Sequence, residues 1–363
     1  MTSVTPAATG PQTPAPGAAD PGRGAVGPGV ASDSSSNPLR KARGAVLGAL
    51  PPTARTRLRL VRKALVGPLP GAQPAPGAKP VAVARQLRPR EVTLAVPATP
   101  GGPARAALRE IRMTAPMGMF VPKVLQRSGF AGYEQSSLPH FLAALAEAPA
   151  GAFLDVGANV GPYSLLARAC SDRQVVGFEP TPDLAEVARV TAARNGLDYD
   201  VEEIALGDTD GRATLHLSET SDSSNSLNPD FRPSSTSIDV SLERLDAWAA
   251  RTGTAPGVLK VDTETTEPAV LRGARDTVAA HKPWVFCEVL HGRGEEDLTE
   301  VVKPWGYTWY HLTGTGPLEP ASQIVGDPDH RHFMWLFVPE PLGEKHWERA
   351  AAWRAALEAT SPK

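Results

Sequence analysis

Carboxylates stand at the carboxyl ends of four apolar segments in this chain: Asp155 in FLDVG, Glu179 in VVGFE, Asp262 and Glu264 in VLKVDTE, and Glu288 in VFCEVL. Acids that end neighbouring strands can accept hydrogen bonds from hydroxyls, ligate a hard cation or hold a proton. Gathered on one rim they repel each other, so the arrangement is costly unless a sulfonium, an amine or a metal ion relieves it. The plainer alternative is that one or two of them cap the helices that follow. Glu267, deeper in the loop or the first helical turn, suits that alternative better than Asp262 or Glu264 does.

Asp155 lies in the most informative stretch, FLDVGANVGPYS, from Phe153 to Ser164. A short apolar strand empties into a turn holding Gly157, Ala158 and Gly161, and Pro162 then suits the first position of a helix. Glycines let backbone approach a ligand closely, and a new helix offers its free N–H groups. Dinucleotide sites want G-x-G-x-x-G around a pyrophosphate, whereas this turn reads D-x-G-x-x-x-G. Asp155 would repel a pyrophosphate but suits a cofactor with an amine and a sulfonium, which describes S-adenosylmethionine (SAM). Glu179, ending the next strand, can accept from both hydroxyls of a ribose. An ordinary strand–turn–helix is the structural alternative for the turn alone. A nicotinamide cofactor is the weaker ligand.

These positions depend on strands alternating with helices. The spacing predicts helices over Leu138–Ala148, Pro162–Cys170, 182–194, 242–251, Pro268–Ala280 and Glu295–Val302. Between them fall strands near Phe153, at Val175–Glu179, Tyr199–Leu206, 212–218, Ser237–Ser241, Gly257–Glu264 and Trp284–Leu290. YTWYHL and HFMWLFVP close the sheet as an antiparallel edge hairpin, and Leu342–Glu358 reads as a charged surface helix. The fold class is therefore α/β, a mostly parallel doubly wound sheet whose ligands bind at strand carboxyl ends.

Composition separates an arm from a body. Of 37 prolines, 17 precede residue 101, mixed with Ala, Gly and Ser, so residues 1–90 are expected to form a disordered arm. From Pro38 to Arg90 there are 12 Lys or Arg and no acid, whereas 91–363 carries 24 basic against 37 acidic residues, a net of −13. Within the arm, Arg55, Arg57, Arg59, Arg62 and Lys63 interleave with leucines and Val61. That segment reads first as a solvated tail lying on the acidic body, with a membrane surface or a partner as the alternative. The body is expected over 105–340, followed by a helix and tail at 341–363. An acidic body argues against nucleic acid as substrate. No apolar run approaches a membrane span, no secretory signal is legible, and Cys170 and Cys287 read as buried thiols, which together point to the cytoplasm.

From about Met117 to Pro339 the chain resembles the FkbM family of SAM-dependent methyltransferases. The resemblance rests on MGMFVPKVLQRSGFAGYE, DVGANVGPYS, FEP at 178–180, IALGD at 204–208, SLERLD, LKVDTETTEPAVLRGA, CEVL and HFMWLFVP. It implies a Rossmann-like class I methyltransferase fold and O-methylation of a hydroxyl on a small metabolite such as a sugar or polyketide. It also implies that Asp155, Gly157, Asn159 and Gly161 surround the methionine part of SAM, that Glu179 holds the ribose, and that Ala205 and Leu206, with Asp208 nearby, border the adenine. The family usually reads D-x-E-G-x-E after its fourth strand, and Thr265 stands here in place of that glycine. An alcohol acceptor must also lose a proton, to a base or beside a metal. Asp262, Glu264 and Glu288 are the candidates for both roles, with Mg²⁺ as the cation, and His291 is a further candidate base. The alternative function is a catalytically idle methyltransferase fold that serves as a binding module, recruited through its basic arm.

Overall fold

The computed structural model describes residues 89–101 and 108–362. Most of the basic arm, including the Arg55–Leu65 segment, lies outside them. An antiparallel hairpin comes first, β1 (Pro89–Ala95) and β2 (Glu110–Pro116), then α1 (Phe120–Ser128) and α2 (Leu138–Glu147). The alternating unit follows: β3 (Ala152–Val156), α3 (Pro162–Cys170), β4 (Val175–Phe178), α4 (Pro182–Arg194) and β5 (Asp200–Glu202). A small sheet is built from β6 (Ala205–Leu206), β7 (Gly211–Leu217) and β8 (Thr236–Glu243). Next come α5 (Leu245–Thr252), β9 (Pro256–Val261), α6 (Glu267–Arg272), α7 (Arg275–His281), β10 (Trp284–Glu288) and α8 (Glu295–Val302). The chain closes with β11 (Thr308–His311), β12 (Met334–Val338) and α9 (Glu344–Glu358).

The main sheet has seven strands in the order β11-β12-β10-β9-β3-β4-β5. Its β10, β9, β3, β4 and β5 run parallel, while β12 is antiparallel to both β10 and β11. This is the doubly wound sheet with an antiparallel edge hairpin that the alternation predicts. The strand order reverses at β3, between β4 on one side and β9 on the other, and such switch points open a crevice at the strand ends. Both faces of β3 are buried, by Phe153, Phe141, Leu165 and Val258 on one side and by Leu154, Val176, Trp248 and Leu259 on the other. That explains why β3, β4 and β9 read as unbroken apolar runs.

Four elements differ from the sequence reading. Tyr199–Leu206 forms two strands, β5 in the main sheet and β6 in the small one, because β6 pairs with β8 instead. The helix expected over Pro268–Ala280 breaks at Gly273, whose carbonyl accepts from Asp246 N (2.8 Å). The folded body also reaches further than the 105–340 expected. The β1–β2 hairpin buries Val92, Leu94, Ile111 and Met113, and α9 is no mere surface helix, since Trp347, Ala350, Trp353 and Leu357 join the core over α2. A buried polar chain pins α9: His140 Nε2 donates to Gly314 O (2.7 Å), His140 Nδ1 meets His346 Nε2 (2.9 Å), and His346 Nδ1 meets Glu147 Oε2 (2.8 Å).

Candidate active site

Strand register brings the acids together. Asp155 pairs with Gly177 of β4 and Lys260 of β9, and Val156 pairs with Phe178 and Val261. Val261 in turn sits beside Cys287 of β10. One residue further along, Gly157, Glu179, Asp262 and Glu288 therefore leave the sheet on one rim. They border a cavity of about 610 Å³, a size suited to a small molecule or cofactor.

On the β4 side, Glu179 is buried and fully engaged by backbone. One oxygen accepts from Asn159 N (2.9 Å) and the other from Thr181 N (2.8 Å). Burial pushes its carboxyl up to about 6, although those hydrogen bonds work against the shift. Phe178, Pro180, Leu184, Ile204, Ala205 and Leu206 continue this wall as an apolar slot.

On the β9–β10 side the acids are crowded. Oxygens of Asp262, Glu264 and Glu288 lie within 4.8 Å of one another. Burial first, then the Asp262 charge, drives Glu264 up to about 9 and Glu288 well above the ordinary range. Glu288 Oε2 is buried with no hydrogen-bond partner among the described residues. Lys260, itself buried, binds Asp262 Oδ2 at 2.8 Å. Burial would drain its proton, but Asp262, Asp155 and Glu134 together hold it above the usual lysine value.

The loop carrying these acids is strained. Glu264 and Thr265 have φ of 57° and 84°, in the left-handed region that a β-branched residue rarely enters. A strut from the polar segment 218–229 holds it there. Ser226 Oγ donates to Glu264 O (2.7 Å), and Asn228 Nδ2 donates to Thr265 Oγ1 (3.0 Å). Thr265 thus adopts a backbone shape that glycine takes without cost.

Several residues singled out from the sequence stand elsewhere. Asp155 is 1% exposed and lies behind the cavity wall, where its Oδ2 accepts from Ser164 N (3.1 Å) and Oγ (2.7 Å) at the start of α3. The two glycines of the turn allow close packing. At Gly157, φ 78°, an added Cβ would sit 1.7 Å from Asp262 O, and at Gly161, φ 81°, it would sit 2.5 Å from the Tyr199 hydroxyl. Gly157 and Asn159 still border the cavity, whereas Gly161 does not. Asp208 is half-exposed and pairs with Arg272 (3.3 Å) outside the cavity. His291 is also outside it, with Nδ1 on Gly326 O (3.0 Å) and a ring 45% exposed, which leaves it no place beside the other candidate bases. Glu267 ends as a loop clasp, buried and accepting from Thr263 N (2.7 Å) and Oγ1 (3.1 Å).

The cavity also holds residues that the reading of strand ends passed over: Glu134, Tyr163, Lys260 and His332. A lysine inside the apolar run VLKV was the available signal for one of them, and the GYE of the 117–134 motif for another.

The topology and the rim define a doubly wound α/β domain with a cavity at its switch point. Residues 155–314 match the methyltransferase FkbM domain. Among solved structures it is similar to the methyltransferase FkbM from Methylobacillus flagellatus KT, at 18% identity over 52% of this chain and 43% of that one, with a TM-score of 0.34. This chain thus spans less than half the length of that protein. It is also similar to the O-methyltransferase TomG of tomaymycin synthesis from Streptomyces achromogenes, solved with SAM, at 16% identity over 56% and 79% of the two chains and a TM-score of 0.32. A SAM-dependent methyltransferase from Agrobacterium tumefaciens matches at 10% identity over 63% and 68%, with a TM-score of 0.33. No curated protein matches the chain. Among the described residues, no helix is long and apolar enough to cross a membrane.

Proposed function

We propose that the cavity binds SAM and that the chain methylates a hydroxyl group of a small metabolite. The observation that carries this reading is the pairing of two unlike walls at one switch point, a carboxylate with an apolar slot and, across Gly157, a carboxylate cluster beside a lysine. The donor set fits the cofactor. Glu179 suits ribose hydroxyls, the Ala205–Leu206 wall suits a planar base, and the acid-rich side suits positive charge. When bound, the cofactor supplies an electrophilic methyl group.

The protein's own part is to orient the acceptor and manage its proton. Asp262, ion-paired with Lys260, is a carboxylate placed to receive a hydroxyl proton. Burial and the Asp262 charge raise the carboxyls of Glu264 and Glu288, which favours a proton on the cluster or, in its place, a divalent cation such as Mg²⁺. The orphaned Glu288 Oε2 and the three convergent oxygens fit a hard cation. One observation favours a second reading, an idle fold that binds without turnover: the strained Thr265 beside the acids.

Calorimetric titration of SAM into the wild type and Glu179→Ala tests the proposal. Binding by the wild type and its loss in the variant are expected. Equal heats, or no binding by either, would sink it. Methyl transfer to a panel of hydroxylated acceptors, with EDTA and then Mg²⁺, separates turnover from idle binding and a cation from proton transfer alone.

A further inference from the structure

The β9 side of the cavity carries a pair of opposite charges that the reading above leaves without a ligand. Glu134, in the loop between α1 and α2, has Oε2 held by the Tyr163 hydroxyl and by Ser137 Oγ (3.0 Å). Those two hydroxyls are 2.8 Å apart, so the carboxylate has one well-defined place. Beside it, Lys260 binds Asp262 Oδ2 at 2.8 Å, and its Nζ lies 4.8 Å from the centre of the Tyr163 ring. Its approach to Asp155 Oδ1, 3.9 Å, is too long for a hydrogen bond, and that buried oxygen has no other partner.

Lys260 therefore makes one hydrogen bond to the described residues and has further N–H groups to give. Charge points the same way. Three carboxylates (Glu134, Asp155 and Asp262) surround a single ammonium. Burial and the Asp262 charge push Glu134 up, against the pull of Lys260. One more positive group would relieve that excess.

We propose that Glu134 and Lys260 form a clamp for a zwitterionic α-amino acid group, Glu134 taking the ammonium and Lys260 the carboxylate, and that the clamp holds the amino-acid end of the cofactor. This rests on the reading that the cavity binds SAM, and it moves recognition of that end away from Asp155, which is engaged with Ser164. Both residues line the same cavity as Glu179, with Lys260 on the strand across β3 from it, so one ligand can meet all three.

The test compares two ligands on the full chain by calorimetry. S-adenosylhomocysteine carries the amino-acid group, whereas 5′-methylthioadenosine has the same adenosine and thioether without it. Glu134→Gln and Lys260→Met are each expected to weaken S-adenosylhomocysteine by about tenfold or more, and to leave 5′-methylthioadenosine within about threefold of wild type. Unchanged S-adenosylhomocysteine affinity in both variants, or parallel loss of both ligands in Glu134→Gln, overturns the clamp alone. A wild type that binds neither ligand overturns the cofactor reading and the clamp with it. Glu134→Gln, which keeps the shape of the side chain, decides the matter if Lys260→Met does not fold.

Discussion

The two flanks of β3 solve the problem of a buried acid in opposite ways. On the β4 flank a single carboxylate, Glu179, has each oxygen met by a backbone N–H, so it is held in place with no counter-charge. On the β9–β10 flank three carboxylates crowd within 4.8 Å, one oxygen lacks any partner, and a left-handed Glu264–Thr265 pair keeps them there. A satisfied acid is a rigid recognition element for neutral hydroxyls. A crowded one stores repulsion that a cation or a proton relieves, which is what a reacting centre needs.

The largest expected effect breaks the joint between the flanks. Gly157 lies against the Asp262 carbonyl, so Gly157→Ala adds a clash to an unfavourable φ and is expected to destabilise the fold by about 4 kcal/mol. Thermal unfolding reads this directly, and a variant melting like wild type would show that the two rims are not locked together.

A smaller effect isolates the crowded flank. The carboxyl of Glu264 is raised on folding, so its contribution to stability is present below its unfolded value of 4.5 and is lost as pH rises toward about 9. Discounted for solvent screening, the loss is about 2 kcal/mol. Denaturant titrations between pH 5 and 9 should show it in the wild type and not in Glu264→Gln, and a millimolar divalent cation should flatten the wild-type slope. Parallel slopes in the two proteins would mean that the acids do not interact as described.

The smallest effect concerns strain alone. Thr265→Gly and Thr265→Ala both remove the Asn228 hydrogen bond, but only glycine adopts φ 84° freely. The glycine variant should be the more stable of the two by about 1 kcal/mol. The reverse order would remove backbone strain from the account.

The β4 flank was largely legible in the sequence because every part of it is local. An apolar strand, an acid at its end and the following helix start are contiguous, and Glu179 finds its partners within that turn and the one before it. The other flank was half legible. Asp262, Glu264 and Glu288 could be read as strand-end acids, but the loop shape at Thr265 depends on Asn228 and Ser226, from a polar segment without periodicity. Glu134 and His332 reach the cavity only through packing of the residues before β3 and the return of β12, and no local pattern encodes that. Asp155 shows the converse error. Its position in the turn resembles a ligand contact, yet the free N–H and hydroxyl of Ser164 lie closer and take it. His291 was misplaced for a similar reason, since closeness in sequence to the β10 acid does not turn the ring toward the cavity.

Glu179 on the β4 flank is expected to hold the ribose of the cofactor, and the Asp262–Glu264–Glu288 cluster on the other flank to handle the acceptor. Paired measurements of S-adenosylhomocysteine affinity and single-turnover methyl transfer in Glu179→Ala and Glu264→Gln test this division most directly. Glu179→Ala is expected to lose affinity, whereas Glu264→Gln is expected to bind like wild type but to transfer methyl slowly even at saturating cofactor. Equal loss of affinity in both variants, with normal transfer once the cofactor is saturating, would contradict it.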